Sequence, residues 1–134
     1  MDKVIFACVH NAGSSQMAVA FFNQLADRTR AEAVSAGTQP GQQIHPLVVE
    51  VMNEAGLDLS SQKPKLLTDA LARDASLLVT MGCGDACPHV PGLAMMDWPL
   101  PDPKDQPIDS VRRIRDDVRD RVTALVHERH WSTR

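Results

Sequence analysis

No stretch of this chain approaches the roughly 20 consecutive apolar residues that a bilayer-crossing helix requires, so no membrane span is expected. Basic residues are not in excess either. Lys and Arg number 14 against 17 Asp and Glu, a formal net charge of -3 with histidines neutral, and nothing in that balance calls for nucleic acid. Cysteine is scarce and odd in number, at three, which argues against a fixed disulfide framework and suits a reducing compartment with reactive thiols. Tyrosine is absent and aromatic residues make up only 4%. Met1-Asp2-Lys3 leads straight into a short apolar run, so no signal peptide is expected and the protein is expected to be cytoplasmic. The 134 residues suffice for a single domain, 1–134, with one core of ordinary size.

What is present is organised around Val4 to Ala18. Val4-Ile5-Phe6-Ala7 reads as a buried strand, and a helical pattern begins near Ser15 with Met17, Ala18, Phe21, Phe22 and Leu25 on one side. The loop between them starts with Cys8. A strand feeding a helix through a short loop aims several backbone N–H groups at one point, where the helix dipole also favours negative charge. That point is an oxyanion site, and a thiol held there is expected to titrate below its usual ~8.5. A cysteine at a strand end is often just a small buried hydrophobe. Its position after the first strand, with Gly13 and Ser15 before a helix start, makes Cys8 a candidate nucleophile.

Further along, a helix is expected over about Ser15 to Asp27 and a short strand around Glu32 to Ser35. Pro46 then marks the first position of a helix carrying Leu47, Val48, Val51 and Met52 and ending at Gly56. His45, at its start, reads as a capping or surface histidine, with a substrate contact as the alternative. Lys63 and Lys65 read as a solvated face. Thr68 is expected to cap a short helix containing Leu71, and Ser76 to Met81 to form an interior parallel strand. After the Pro91-Gly92 turn, Leu93 to Met96 reads as a last short strand. A final helix over Ile108 to Arg129 carries Val111, Ile114, Val118, Val122, Leu125 and Val126 on one stripe. His127, His130 and Trp131 fall in its frayed end. The element order implies a three-layer α/β domain whose mainly parallel, four-stranded sheet is flanked by helices.

Cys83-Gly84-Asp85-Ala86-Cys87-Pro88 directly follows the interior strand. Ligands of open parallel sheets collect at the carboxyl ends of the strands, so this segment and the Cys8 loop are expected to open on the same edge. Cys83, Cys87 and His89 fit zinc-ligand spacing, but a closed site needs a fourth ligand and no second cysteine pair exists, so no metal is expected. Asp97-Trp98-Pro99-Leu100-Pro101-Asp102-Pro103 forms a rigid, proline-dense loop.

The run from Cys8 to Ala18, read as CVHNAGSSQMA, resembles the oxyanion loop of the arsenate reductases built on the low-molecular-weight protein tyrosine phosphatase fold. The resemblance extends through Ser35-Ala36-Gly37, His45-Pro46, the Met81 to Pro88 segment, Asp97-Trp98 and Asp102-Pro103. Within that family it is most similar to the mycothiol-linked members, with the thioredoxin-coupled members next. The resemblance implies a cytoplasmic arsenate reductase with no bound cofactor, acting on arsenate or a phosphate-like oxyanion, as monomer or homodimer. Cys8 would attack arsenic. Val9, His10, Asn11, Ala12, Gly13, Ser14 and Ser15 would hold the oxyanion, and Asp102 would serve as general acid, although an aspartate before proline can equally cap a turn. Cys83 would resolve the Cys8 adduct and Cys87 carry the disulfide outward to an external reductant, thioredoxin or mycothiol with mycoredoxin. One position departs from the pattern. The family loop carries arginine where this chain has Ser14, and a hydroxyl cannot reproduce a charged, bidentate fork. His10, Lys63 and Lys65 are the candidates to supply the missing charge. The family's phosphatases carry tyrosine after the aspartate-proline pair, where this chain has Lys104, which favours reductase over the alternative of a phosphatase. Ser14 leaves a weakly active oxyanion-binding relic as a third reading.

Overall fold

Residues 1–82 and 90–132 are described by the computed structural model. β1 (Asp2–Cys8) is central: it pairs in parallel with β2 (Ala31–Gly37) on one side and β3 (Leu77–Thr80) on the other. β4 (Ala94–Asp97) extends the sheet parallel to β3, giving the order β2-β1-β3-β4. A strand covered on both faces needs apolar residues at every position. Val4 to Ala7 and Leu77 to Val79 meet that need and are all buried.

The two faces are filled unequally. On the face of Val4 and Phe6 lie α1 (Ser14–Leu25), α2 (Pro46–Glu54) and the long α4 (Ile108–Glu128), which bring Met17, Phe21, Phe22, Val48, Val51, Met52, Val118 and Val122 into the main core. Phe6 anchors this layer, with its ring 5.9 Å from Phe22 and 5.5 Å from Trp98. The opposite face, bearing Ile5, Ala7, Ala36 and Leu78, is closed by the five-residue α3 (Asp69–Arg73) and by Leu67, Leu71 and Ala75 around it. Thr68 caps α3, its hydroxyl accepting from the Leu71 amide at 3.1 Å. No helix among the described residues is long and apolar enough to cross a membrane.

Element boundaries fall within a few residues of those expected. The tail differs. Trp131 is buried rather than frayed: its ring packs 5.7 Å from Phe22, its carbonyl accepts from the Asp27 amide at 2.7 Å, and Nε1 donates to Asp2 Oδ2 at 3.1 Å. A large aromatic beyond the helical period finds its pocket only when the sheet edge and α1 come together, which periodicity does not reveal.

The α4 stripe Val111, Ile114, Val118, Val122, Leu125 and Val126 is buried as the period demands. Its wet side is tied to α2 through Glu54, which accepts from Arg112 Nη2 and from Arg115 Nη1, each at 2.8 Å. The hydrogen bond from Arg112, followed by that from Arg115, holds the Glu54 carboxyl below its ordinary value of 4.5. A carboxyl held low in the folded chain stabilises it above the unfolded value and loses that contribution as pH falls. Chemical denaturation of wild type and Glu54→Gln should therefore show a midpoint difference at pH 7 that narrows as pH falls below 4.5.

Candidate active site

β1 ends at Cys8 and α1 begins at Ser14, so five residues make the turn. The turn is held by Asn11, which is fully buried in the left-handed conformation at φ 52°, one of the few places where a non-glycine residue tolerates positive φ. Its side chain is fully engaged. Oδ1 accepts from the Lys65 amide at 2.9 Å and from Gln16 Nε2 at 3.2 Å, while Nδ2 donates to Ser15 Oγ at 2.8 Å. Gln16 Nε2 also donates to the Asn11 carbonyl at 3.0 Å and the Lys63 carbonyl at 3.4 Å.

This knot delivers hydrogen bonds to the thiol. The Asn11 amide donates to Cys8 Sγ at 3.1 Å, and Ser15 Oγ lies 3.0 Å from the same sulfur. Ser15 Oγ also accepts from Asn11 Nδ2, so the hydroxyl links the asparagine to the sulfur. Two polar groups thus converge on the sulfur beside the start of α1.

The remaining loop amides have no such partner. The N–H groups of Val9, His10, Ala12, Gly13, Ser14 and Ser15 make no hydrogen bond to another described residue, and Ala12 through Ser15 are buried. Buried amides without protein partners are satisfied by water or by an anion. They surround a cleft of about 100 Å³ lined by Cys8, Val9, His10, Ala12, Gly13 and Ser14 from the loop, and by His45, Met81, Gly82, Leu100, Asp102 and Pro103 from elements that close over it. Pro103 packs so tightly on Gly13 that a Cβ there would lie 2.7 Å from its Cγ.

The family model for low molecular weight phosphotyrosine protein phosphatases matches residues 3–130. The chain belongs to that family. Among curated relatives, a Halobacterium salinarum protein assigned as an arsenate reductase is 38% identical over 130 residues, covering 94% of this chain and 92% of its own. The glutaredoxin arsenate reductase of Synechocystis is 32% identical over 129 residues, covering 94% and 97%. Among solved structures, the thioredoxin-dependent arsenate reductase of Corynebacterium glutamicum superposes with a TM-score of 0.79 at 38% identity. That match takes in 96% of this chain, which spans 61% of the Corynebacterium one.

Within this phosphatase-like frame the cleft brings together Cys8, Val9, His10, Ala12, Gly13, Ser14 and Asp102. Asn11 and Ser15 stand behind it, their side chains bonded to each other, with the Asn11 main-chain amide and the Ser15 hydroxyl on the sulfur. Asp102 Oδ1 accepts from the Lys104 amide at 2.9 Å, so this aspartate both closes a turn and lines the cleft. His45 occupies the N-cap position of α2 without side-chain capping, and it too lines the cleft. Lys63 and Lys65 do not supply charge here. Their exposed side chains are absent from the lining, and what reaches the loop is main chain: the Lys63 carbonyl and the Lys65 amide. Cys83, Cys87 and His89 lie outside the described residues, and among those described no three His, Cys, Asp or Glu side chains cluster as metal ligands. Gln16 was not singled out from the sequence. It is 2% exposed in the first turn of α1, and its place directly after the loop was the one signal available in the sequence. Ser15→Ala should leave Asn11 Nδ2 without its acceptor, costing about 1–3 kcal/mol of stability, and slow iodoacetamide alkylation of Cys8 at neutral pH, as thermal melts and mass spectrometry would record.

Proposed function

We propose that this protein is a thiol-dependent arsenate reductase. The observation that carries the reading is a thiol holding two hydrogen bonds within a ring of otherwise unpaired loop amides, a site shaped for an oxyanion and a nucleophile together. Identity of 38% and 32% to proteins named as arsenate reductases, over nearly the whole chain, supports the same substrate.

In this reading Cys8 thiolate displaces an oxygen of arsenate, which leaves as water after protonation by Asp102, a carboxyl on the cleft wall. Cys83 thiolate then attacks the Cys8 sulfur. The sulfur–arsenic bond breaks with its electron pair on arsenic, so As(V) becomes As(III) and departs as arsenite while Cys8 and Cys83 become a disulfide. Attack by Cys87 on Cys83 frees Cys8 and leaves a Cys83–Cys87 disulfide for an external dithiol to reduce. A redoxin of the thioredoxin class is the proposed donor, in keeping with the thioredoxin-dependent Corynebacterium relative. In the alternative route mycothiol attacks the arsenic and mycoredoxin completes the reduction. The protein acts in the cytoplasm without a resident cofactor.

Phosphate-ester hydrolysis is the second reading, because the family model is that of phosphatases and needs only Cys8 with Asp102. Arsenite release by reduced protein, assayed with thioredoxin and its reductase and separately with mycothiol and mycoredoxin, tests both. Turnover should appear with one donor, vanish in Cys8→Ser and, with thioredoxin, fall at least a hundredfold in Cys83→Ser and Cys87→Ser. Hydrolysis of p-nitrophenyl phosphate unaffected by Cys83→Ser, with no arsenite formed by either system, would replace the reductase reading with the phosphatase one.

A further inference from the structure

An oxyanion enters this cleft with one or two negative charges, beside the Cys8 sulfur and the Asp102 carboxyl. The loop amides and the start of α1 offset part of that charge. No lysine or arginine stands among the described lining residues, and the nearby lysines contribute main chain only. Two histidines remain, and their settings differ. His10 is exposed at the rim, with Nδ1 3.0 Å from the Gln39 carbonyl. His45 is half-buried at the N-cap of α2, its amide donating to the Ala12 carbonyl at 3.0 Å. Its ring lies against the loop, since a Cβ on Gly13 would be 3.5 Å from Cδ2. That places an imidazole beside the residue preceding Ser14, where the N-termini of α1 and α2 converge on the cleft. The ring does not cap α2, so the helix makes no demand on it.

We propose that His45, as imidazolium, is the cation this cleft presents to its bound oxyanion, an assignment that rests on reading the cleft as an oxyanion site. A histidine ordinarily loses its charge as pH rises through about 6.5, so anion affinity falls across that range. The other ionisable groups of the described lining are Cys8 and His10 from the oxyanion loop and Asp102 from the loop after β4. All three are ionisable, so pH dependence alone does not single out His45. Side-chain variants therefore separate His45 from them.

Calorimetric titration with inorganic sulfate, a dianion at all working pH values, provides the test. Reduced wild type, His45→Gln, His10→Gln and His45→Gln/Ser14→Arg would be compared at about pH 6 and pH 8. Loss of a hydrogen bond from a charged donor predicts at least about tenfold weaker binding by His45→Gln at the lower pH, with much of the pH dependence gone. His10→Gln, at the rim, should weaken binding several-fold less than His45→Gln does, as a group in high dielectric would. Ser14→Arg should restore binding to the His45→Gln protein, showing that its cleft is intact. Sulfate binding indifferent to His45→Gln, a loss carried by His10→Gln, or a His45→Gln loss that Ser14→Arg fails to restore would overturn the assignment. A wild type that binds neither sulfate nor arsenate would instead remove the oxyanion reading beneath it.

Discussion

Asn11 carries the constraint on which the rest of the site depends. A five-residue connection from strand to helix must reverse direction sharply, and one residue pays with a left-handed backbone. The buried amide of Asn11 meets four groups at once: the Lys65 N–H, the Gln16 side chain, the Ser15 hydroxyl and, through its main chain, the Cys8 sulfur. Each bond fixes a different part of the chain relative to the sulfur. The strand is fixed through Cys8, the helix through Ser15 and Gln16, and the segment before α3 through Lys65. Satisfying these groups internally leaves the other loop amides free for a ligand, which joins the stability of the turn to its chemistry.

The second determinant is the sheet edge. β1 and β3 are neighbours and run parallel, so Cys8 and the Met81-Gly82 segment emerge on one side, with the loop after β4 crossing above. Gly82, at φ 77°, lets the Leu100 backbone approach so closely that any Cβ would meet its carbonyl oxygen at 2.4 Å. Gly13 gives Pro103 the same freedom. Two glycines, one after β3 and one in the Cys8 loop, therefore seat the proline-dense loop, and Asp102 is positioned by packing. The fold alone would permit several chemistries; the local contacts narrow them.

Much of this was legible in the sequence because it depends on local order. The apolar runs at Val4 to Ala7 and Leu77 to Val79, the valine stripe of α4, Pro46 opening α2 and Thr68 capping α3 each follow from a period or a turn rule. The turn from Cys8 to Ser15 could be picked out because it is contiguous in the chain. What escaped is what depends on residues far apart in the chain. The exposed lysines at 63 and 65 carry charge in the sequence, yet the structure uses their peptide groups, which every residue has. The histidine before Pro46 looked like a cap because of its position, whereas its ring lies against a glycine 32 residues earlier. Trp131 likewise found its partner at Asp2, at the other end of the chain.

That last contact has an architectural consequence. Because Trp131 is bound to Asp2 and to the Asp27 amide, the beginning of β1 and a residue three beyond α4 lie side by side. β1 runs for seven residues and ends at Cys8, a span of roughly 20 Å at the usual rise per strand residue. A polypeptide fused ahead of β1 would thus join the end of that strand away from the sulfur.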